Sequence, residues 1–125
     1  MINTVSLIGT LSAQTTSQSA GYPGIVTQLD ERFITEQPVI KSFTLASDAA
    51  QVVQLDGLSG VNFLMVKTDG NHVKLTLTSS DGTAQSIPVD TLFISLSRTV
   101  AYTAITITRD AGVPTDVTVT FAKMV

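Results

Sequence analysis

The sequence predicts an all-β fold: an antiparallel β-sandwich, jelly-roll or immunoglobulin-like, of about eight short strands with an extended N-terminal arm. Three Asp-Gly pairs punctuate the second half of the chain, at 56–57, 69–70 and 81–82. Asp-Gly favours tight hairpin turns because Gly accepts positive φ and Asp bonds nearby backbone. The apolar and β-branched runs between turn signals have the length and spacing of sandwich strands. No segment shows the apolar period of a long amphipathic helix.

The composition divides the chain into an N-terminal arm, residues 1–35, and a β-sandwich domain, residues 36–125. Residues 2–8 alternate loosely and predict one strand. Residues 12–21 are small, polar and uncharged, and cannot bury enough apolar surface to order alone. A turn is expected at 22–24, and residues 27–33 fit either a short helical turn or extended chain. We expect the arm to be ordered only against a partner or against the domain.

Strands of the first half of the domain follow from alternation and from apolar runs. Residues 41–45 alternate, and 51–55 form a second short strand, with at most one helical turn at 47–51. Residues 61–66 are almost wholly apolar, which is typical of a central strand buried on both faces. Residues 73–78 alternate between apolar and polar side chains, so this strand has one dry face and one wet face.

Strands of the second half complete the sandwich. Pro88 lacks the N–H of a ladder bond, so residues 85–89 are expected to be an edge strand or the end of a strand. Residues 92–96, 104–108 and 117–121 follow as strands. The 92–96 segment is so apolar that an uncovered edge there would promote aggregation, which favours assembly as a dimer or trimer. The predicted core contains Phe43, Leu45, Val53, Leu55, Phe63, Met65, Val73, Leu75, Leu77, Phe93, Ile105, Ile107, Val117, Val119 and Phe121.

Composition bounds the function. The chain has 125 residues, the size of one domain, and no Cys, which excludes disulfides and thiolate chemistry. Net charge is −3 with only seven Lys and Arg, spread singly, so no nucleic-acid partner is expected. Apolar runs are too short for a membrane span, and no membrane partner is expected. Charged residues make up 14%, while Thr (19) and Ser (12) are abundant, which suits an ordinary sheet or one covered by neighbouring subunits.

Residues for catalysis are scarce, and we expect no enzyme and no catalytic residue. His72 is the single histidine; it follows a turn, and the sequence has no Gly-x-Ser-x-Gly motif for a hydrolase nucleophile. An exposed turn histidine is the favoured interpretation. Zinc would need further His or Cys ligands, so no metal site and no cofactor are expected. Most carboxylates lie at turns or in the arm and do not form the facing pair of a glycosidase.

Two features keep a ligand-binding alternative open. The Asp-rich turns at 69–71, 81–82 and 110–112 offer oxygen ligands for calcium, although neither loop follows the EF-hand pattern. Tyr22 and Tyr102 are the two tyrosines that a sugar-stacking platform would use. Turn chemistry and packing are the favoured interpretations of these residues.

The order of strands and turns from Val39 to Val125 resembles small β-rich structural proteins of tailed bacteriophages, of the capsid decoration or cement type or the head-tail accessory type. The resemblance lies in residues 52–58, 63–70, 87–89 and 117–121. It covers about two-thirds of the chain and contains no catalytic motif.

This resemblance implies a non-enzymatic virion component, assembled in the host cytoplasm, that binds the major capsid protein or another virion protein and forms a homo-oligomer. The alternative is a β-sandwich module that binds carbohydrate or a cell surface.

Overall fold

The computed structural model of the chain describes residues 3–13 and 25–125, and these residues contain strands and no helix. Ten strands follow in chain order: β1 Asn3–Ala13, β2 Ile25–Thr35, β3 Val39–Leu45, β4 Gln51–Val52, β5 Phe63–Thr68, β6 Val73–Ser79, β7 Ala84–Val89, β8 Leu92–Leu96, β9 Tyr102–Arg109 and β10 Thr115–Ala122. The all-β prediction is confirmed.

Eight of the strands form two antiparallel four-stranded sheets, in the orders β3-β10-β5-β8 and β4-β9-β6-β7. The first of the eight pairs with the last, the second with the seventh, the third with the sixth, and the fourth with the fifth. Four nested pairs of this kind describe a long hairpin rolled into two sheets, which is the jelly roll. The strand order therefore favours the jelly-roll form of the predicted sandwich over the immunoglobulin-like form.

The core lies between the two sheets and follows from alternation along single strands. Val73, Leu75 and Leu77 of β6 are fully buried, and Val117, Val119 and Phe121 of β10 face them from the other sheet. The residues between them are polar, Lys74 and Thr76 on β6 and Thr118 and Thr120 on β10, as period-two burial requires. The wet and dry faces predicted for residues 73–78 are confirmed, and so are the apolar odd positions of 117–121.

Strand β5 is central and buried on both faces, as its apolar sequence predicted, but two of its core assignments were wrong. Leu64 and Val66 face the space between the sheets. Phe63 and Met65 lie on the outer face, in a second apolar cluster with Phe33. Residues 63–66 are all apolar, so alternation does not indicate which of these side chains point inward.

The Asp-Gly pairs mark turns, but only one of them closes a hairpin within a sheet. Asp81-Gly82 joins β6 to β7, which pair with each other. The 69–70 turn leads from β5 to β6, which lie in different sheets, and the 56–57 turn lies in the segment before β5. An Asp-Gly turn reverses the chain direction, but it does not determine which sheet the next strand joins. That depends on which strands the next strand pairs with and which apolar face it packs against. No helical turn forms at 47–51, and residues 51–52 are the short strand β4.

The N-terminal arm is a β-hairpin. Strand β1 pairs with β2 over eleven residues, so residues 27–33 are extended and not helical. The polar segment predicted at 12–21 begins at the end of β1; its remainder, with the turn expected at 22–24, lies outside the described residues.

Candidate interaction surfaces

The base of the N-terminal hairpin is fastened to the sandwich. Phe33 is 3% exposed and packs on Phe63, with ring centroids 5.5 Å apart. Val5, opposite Phe33 in the hairpin register, joins the same cluster beside Ala122 and Met65. The two aromatic rings and their apolar neighbours cover the outer face of β5, which explains why that strand is buried on both sides.

Backbone bonds reinforce this base. The Glu36 N–H donates to the Lys123 carbonyl at 2.9 Å, and the Val125 N–H donates to the Ile34 carbonyl at 3.2 Å. Thr35 and Met124 form an antiparallel bridge. The end of β2 therefore pairs with the segment that follows β10, and this pairing holds the base of the hairpin against the sandwich.

Beyond its base, the hairpin presents apolar side chains to solvent. Ile34 is 55% exposed and Ile8 63% exposed, and register places both on the face opposite Phe33. Leu29 is exposed on the other face. Strand β1 contains no charged residue from Asn3 to Ala13. The charged residues of the hairpin, Asp30, Glu31 and Arg32, all lie on β2. The edge of β1 therefore carries no charged side chain, and another chain can pair with it.

The edges of the sandwich differ in how well they are protected against pairing. Strand β7 carries Pro88, strand β4 has only two residues, and strand β3 carries Lys41. Proline, shortness and lysine are the usual devices that blunt an edge. Strand β8 has none of them, and Leu92 and Ile94 on it are exposed. The predicted edge position of the Pro88 segment is confirmed, and the apolar 92–96 segment, which we expected to need cover, is also an edge strand.

Loops 46–50, 69–72 and 110–114 meet at one end of the sandwich through hydrogen bonds. Asp48 accepts bonds from the Gly112 N–H and from Nε of Arg109, both at 2.9 Å. These bonds, the backbone bond first, hold the pKa of Asp48 below its usual value. The guanidinium also donates to the Leu45 carbonyl. Asp48 thus fastens the β9–β10 turn to the β3–β4 loop.

Asp69 has a similar structural role in the 69–72 loop. Its carboxylate accepts from the Asp116 N–H at 3.0 Å and from the Asn71 N–H at 3.2 Å, and these bonds lower its pKa. Among the described residues, no group of three or more His, Cys, Asp or Glu side chains is placed to hold a metal ion. Both carboxylate oxygens of Asp69 are bonded to backbone N–H groups, and Asp110, the other carboxylate proposed for calcium at this end, pairs with His72.

His72 lies in the same loop and pairs with Asp110, with Nδ1 2.9 Å from the carboxylate. Both side chains are well exposed, at 38% and 57%. The position after a turn agrees with the sequence, and the partner could not be predicted because it lies on a distant loop. A histidine–carboxylate pair on an open surface lacks the enclosure in which such pairs activate a nucleophile.

Tyr102 is the first residue of β9, and its side chain is partly buried. Its ring packs partly against the core, and its hydroxyl is 3.1 Å from Oγ of Ser95. This placement matches the packing interpretation and leaves no flat aromatic surface for a sugar. Tyr22 lies outside the described residues.

Comparison with models of protein families, with curated proteins and with solved structures finds no match for this chain. Within the described residues, no helix has the length and apolar character to cross a membrane. The surfaces themselves are therefore the basis for a proposal about function.

Proposed function

We propose that the chain is a non-enzymatic structural component of a phage virion, which binds the capsid or tail lattice through its N-terminal hairpin and associates with other copies of itself. The observation that carries this proposal is the hairpin: its base packs on the jelly roll, and Ile8, Leu29 and Ile34 on it are exposed to solvent. The phage setting rests on the resemblance of the strand and turn order, since one fold serves many functions.

The mechanism is strand pairing combined with apolar burial. An edge of the hairpin adds to a sheet of the partner, main-chain bonds supply affinity, and side chains such as Ile8 and Ile34 supply contact area. Each contact is small, but a shell presents many identical sites. Copies that also associate with one another bind several sites at once, which raises avidity without a strong single contact.

The partner we propose is the major capsid protein or another virion protein, and assembly takes place in the host cytoplasm. A nucleic-acid partner is disfavoured because the seven cations are spread along the chain. Three of them, Arg32, Lys41 and Arg109, also pair with carboxylates. The carbohydrate-binding alternative gains no specific support, because the tyrosine available for stacking is packed and the loop carboxylates are bonded.

The experiment uses a shortened hairpin. Residues 9–29 are replaced by Asn-Gly, which joins Ile8 to its register partner Asp30 and leaves Val5 and Phe33 at the base. We expect the full chain to co-sediment with particles of the phage that encodes it, and the shortened chain to remain folded and stay in the supernatant.

The controls separate the parts of this proposal. Ile34→Thr and Ile8→Thr keep the hairpin length and should weaken co-sedimentation partially. Equal sedimentation of the full and shortened chains would remove the role of the hairpin. Absence of the chain from purified particles, measured by mass spectrometry, would overturn the virion proposal.

A further inference from the structure

The hydrogen bonds between β8 and β5 show which backbone groups of β8 remain unpaired at the free edge of the strand. The Ser97 N–H donates to the Asn62 carbonyl, and the Thr68 N–H donates to the Thr91 carbonyl. In an antiparallel ladder, such bonded pairs recur at every second residue. With the β5–β8 register, residues 91, 93, 95 and 97 direct their backbone groups toward β5. Leu92, Ile94 and Leu96 therefore direct theirs away from the sheet.

The same three residues place their side chains on the outer face of the sheet. Leu96 packs in the cluster around the hairpin base, opposite Phe63 in register, while Phe93 packs against the core between the sheets. Leu92 is 53% exposed and Ile94 37% exposed. The free backbone edge thus coincides with an exposed apolar stripe.

We infer that β8 pairs antiparallel with β8 of a second copy of this chain, about a two-fold axis through Ile94, so that the two β3-β10-β5-β8 sheets form one continuous sheet. In this register Ile94 faces its own copy, and Leu92 faces Leu96 at both ends. All three outward-facing residues of each strand then exchange N–H and C=O bonds with the partner.

Charge complementarity favours this register, and it favours a second copy of the chain as the partner of the β8 edge. Asp90 lies two residues before Leu92, and Arg98 lies two residues after Leu96. The register centred on Ile94 places Asp90 of one copy near Arg98 of the other at both ends of the paired strands, just beyond the last residues of β8. Neither side chain belongs to an ion pair within the described part of the chain. A register shift of two residues, which keeps the outward-facing residues paired with one another, sets Asp90 beside Leu96 in one direction and Arg98 beside Leu92 in the other.

This inference deepens the self-association named in the proposed function, and it uses a surface separate from the exposed part of the hairpin. The two are distinguishable because the hairpin-shortened chain retains β8. It should remain dimeric while it loses particle binding, and a β8 variant should become monomeric with its hairpin intact.

The first experiment is sedimentation velocity of the full chain and of Ile94→Lys across a concentration series. Lysine at the axis places two like charges against each other, so we expect a dimer for the unchanged chain and a monomer for the variant. Ile40→Lys is the matched control. Ile40 is exposed at 69% on the outer face of the same sheet, on β3 at the opposite edge, and the variant should remain dimeric.

The second experiment tests the register and uses residues whose substitution leaves the core intact. Asp90→Arg or Arg98→Asp alone should raise the dimer dissociation constant by about tenfold, and the double swap should restore it. Since the chain has no Cys, Ile94→Cys should cross-link to its own copy through a short bis-maleimide, and Ile40→Cys should not. A monomeric full chain, a dimeric Ile94→Lys or a double swap without rescue would overturn the inference.

Discussion

Replacing Phe33 by Ala tests whether the base of the arm is part of the folded domain. The side chain is 3% exposed and lies on Phe63, with a tilt of 47° between the rings. Phe33 belongs to β2. If residues 1–35 were a separate arm, this strand would lie outside the sandwich. The structure instead makes Phe33 the centre of the second apolar cluster.

The expected loss of unfolding free energy is about 3 kcal/mol. Phe→Ala in a core costs roughly 3–5 kcal/mol. Burial of about 150 Å² at ~25 cal/mol/Å² gives an upper estimate of about 4 kcal/mol. The lower part of this range applies because partly buried neighbours such as Met65 and Met124 can relax into the space.

Urea unfolding followed by circular dichroism measures the effect. At a slope of about 1.5 kcal/mol/M, a loss of about 3 kcal/mol lowers the midpoint by about 2 M. Ile34→Ala is the matched control, because Ile34 is adjacent in sequence and 55% exposed, and it should cost about 0.5 kcal/mol or less. Equal midpoints for the two variants would refute the packing of the base.

Three further predictions concern the turns and the sandwich edge. Because its pKa is lowered in the folded protein, Asp69 stabilises the fold above about pH 4, its unfolded pKa, and this contribution is lost as the pH falls through the folded pKa. Asp69→Asn should therefore lower the melting temperature at pH 7, and its difference from the unchanged chain should shrink as the pH falls below about 4. Gly57 has a φ of 85°, so Gly57→Ala should lower the free energy of unfolding by about 1 kcal/mol in a thermal melt. Gly9→Ala is the control and should cost less, because φ at Gly9 is not positive and nothing lies within 4 Å of an added Cβ. Tyr102→Phe loses the hydroxyl contact with Ser95 and should cost about 1 kcal/mol, and an unchanged urea midpoint would contradict that bond.

Alternation made most of the sandwich predictable. The apolar positions of β6 and β10 recur at every second residue, and one face of each strand is dry. Pro88 marked an edge because an imino acid cannot donate. The inward face of β5 was not predictable, because apolar residues occupy both sides of that strand and the second side is buried by Phe33, about thirty residues earlier in the chain.

The interaction surfaces were predictable only in part. The apolar 92–96 segment indicated an edge that needs cover, but its outward backbone groups depend on the β5–β8 register, which sequence does not contain. The arm was predicted from its composition, yet its pairing as a hairpin depends on long-range contacts. Likewise, turn chemistry assigned Asp69 to a corner, while its bond to the Asp116 N–H arises from the meeting of two loops.

The position of β10 in the sheet has a consequence for synthesis. Val119 of β10 faces Lys41 on one side and Val66 on the other, so the last strand along the chain joins β3 to β5. Until β10 has left the ribosome, β3 has no partner in its sheet. Folding dominated by such distant pairings is slow and begins late. A chain whose translation stops before Thr115 lacks the strand that joins β3 to β5 and cannot close the sandwich.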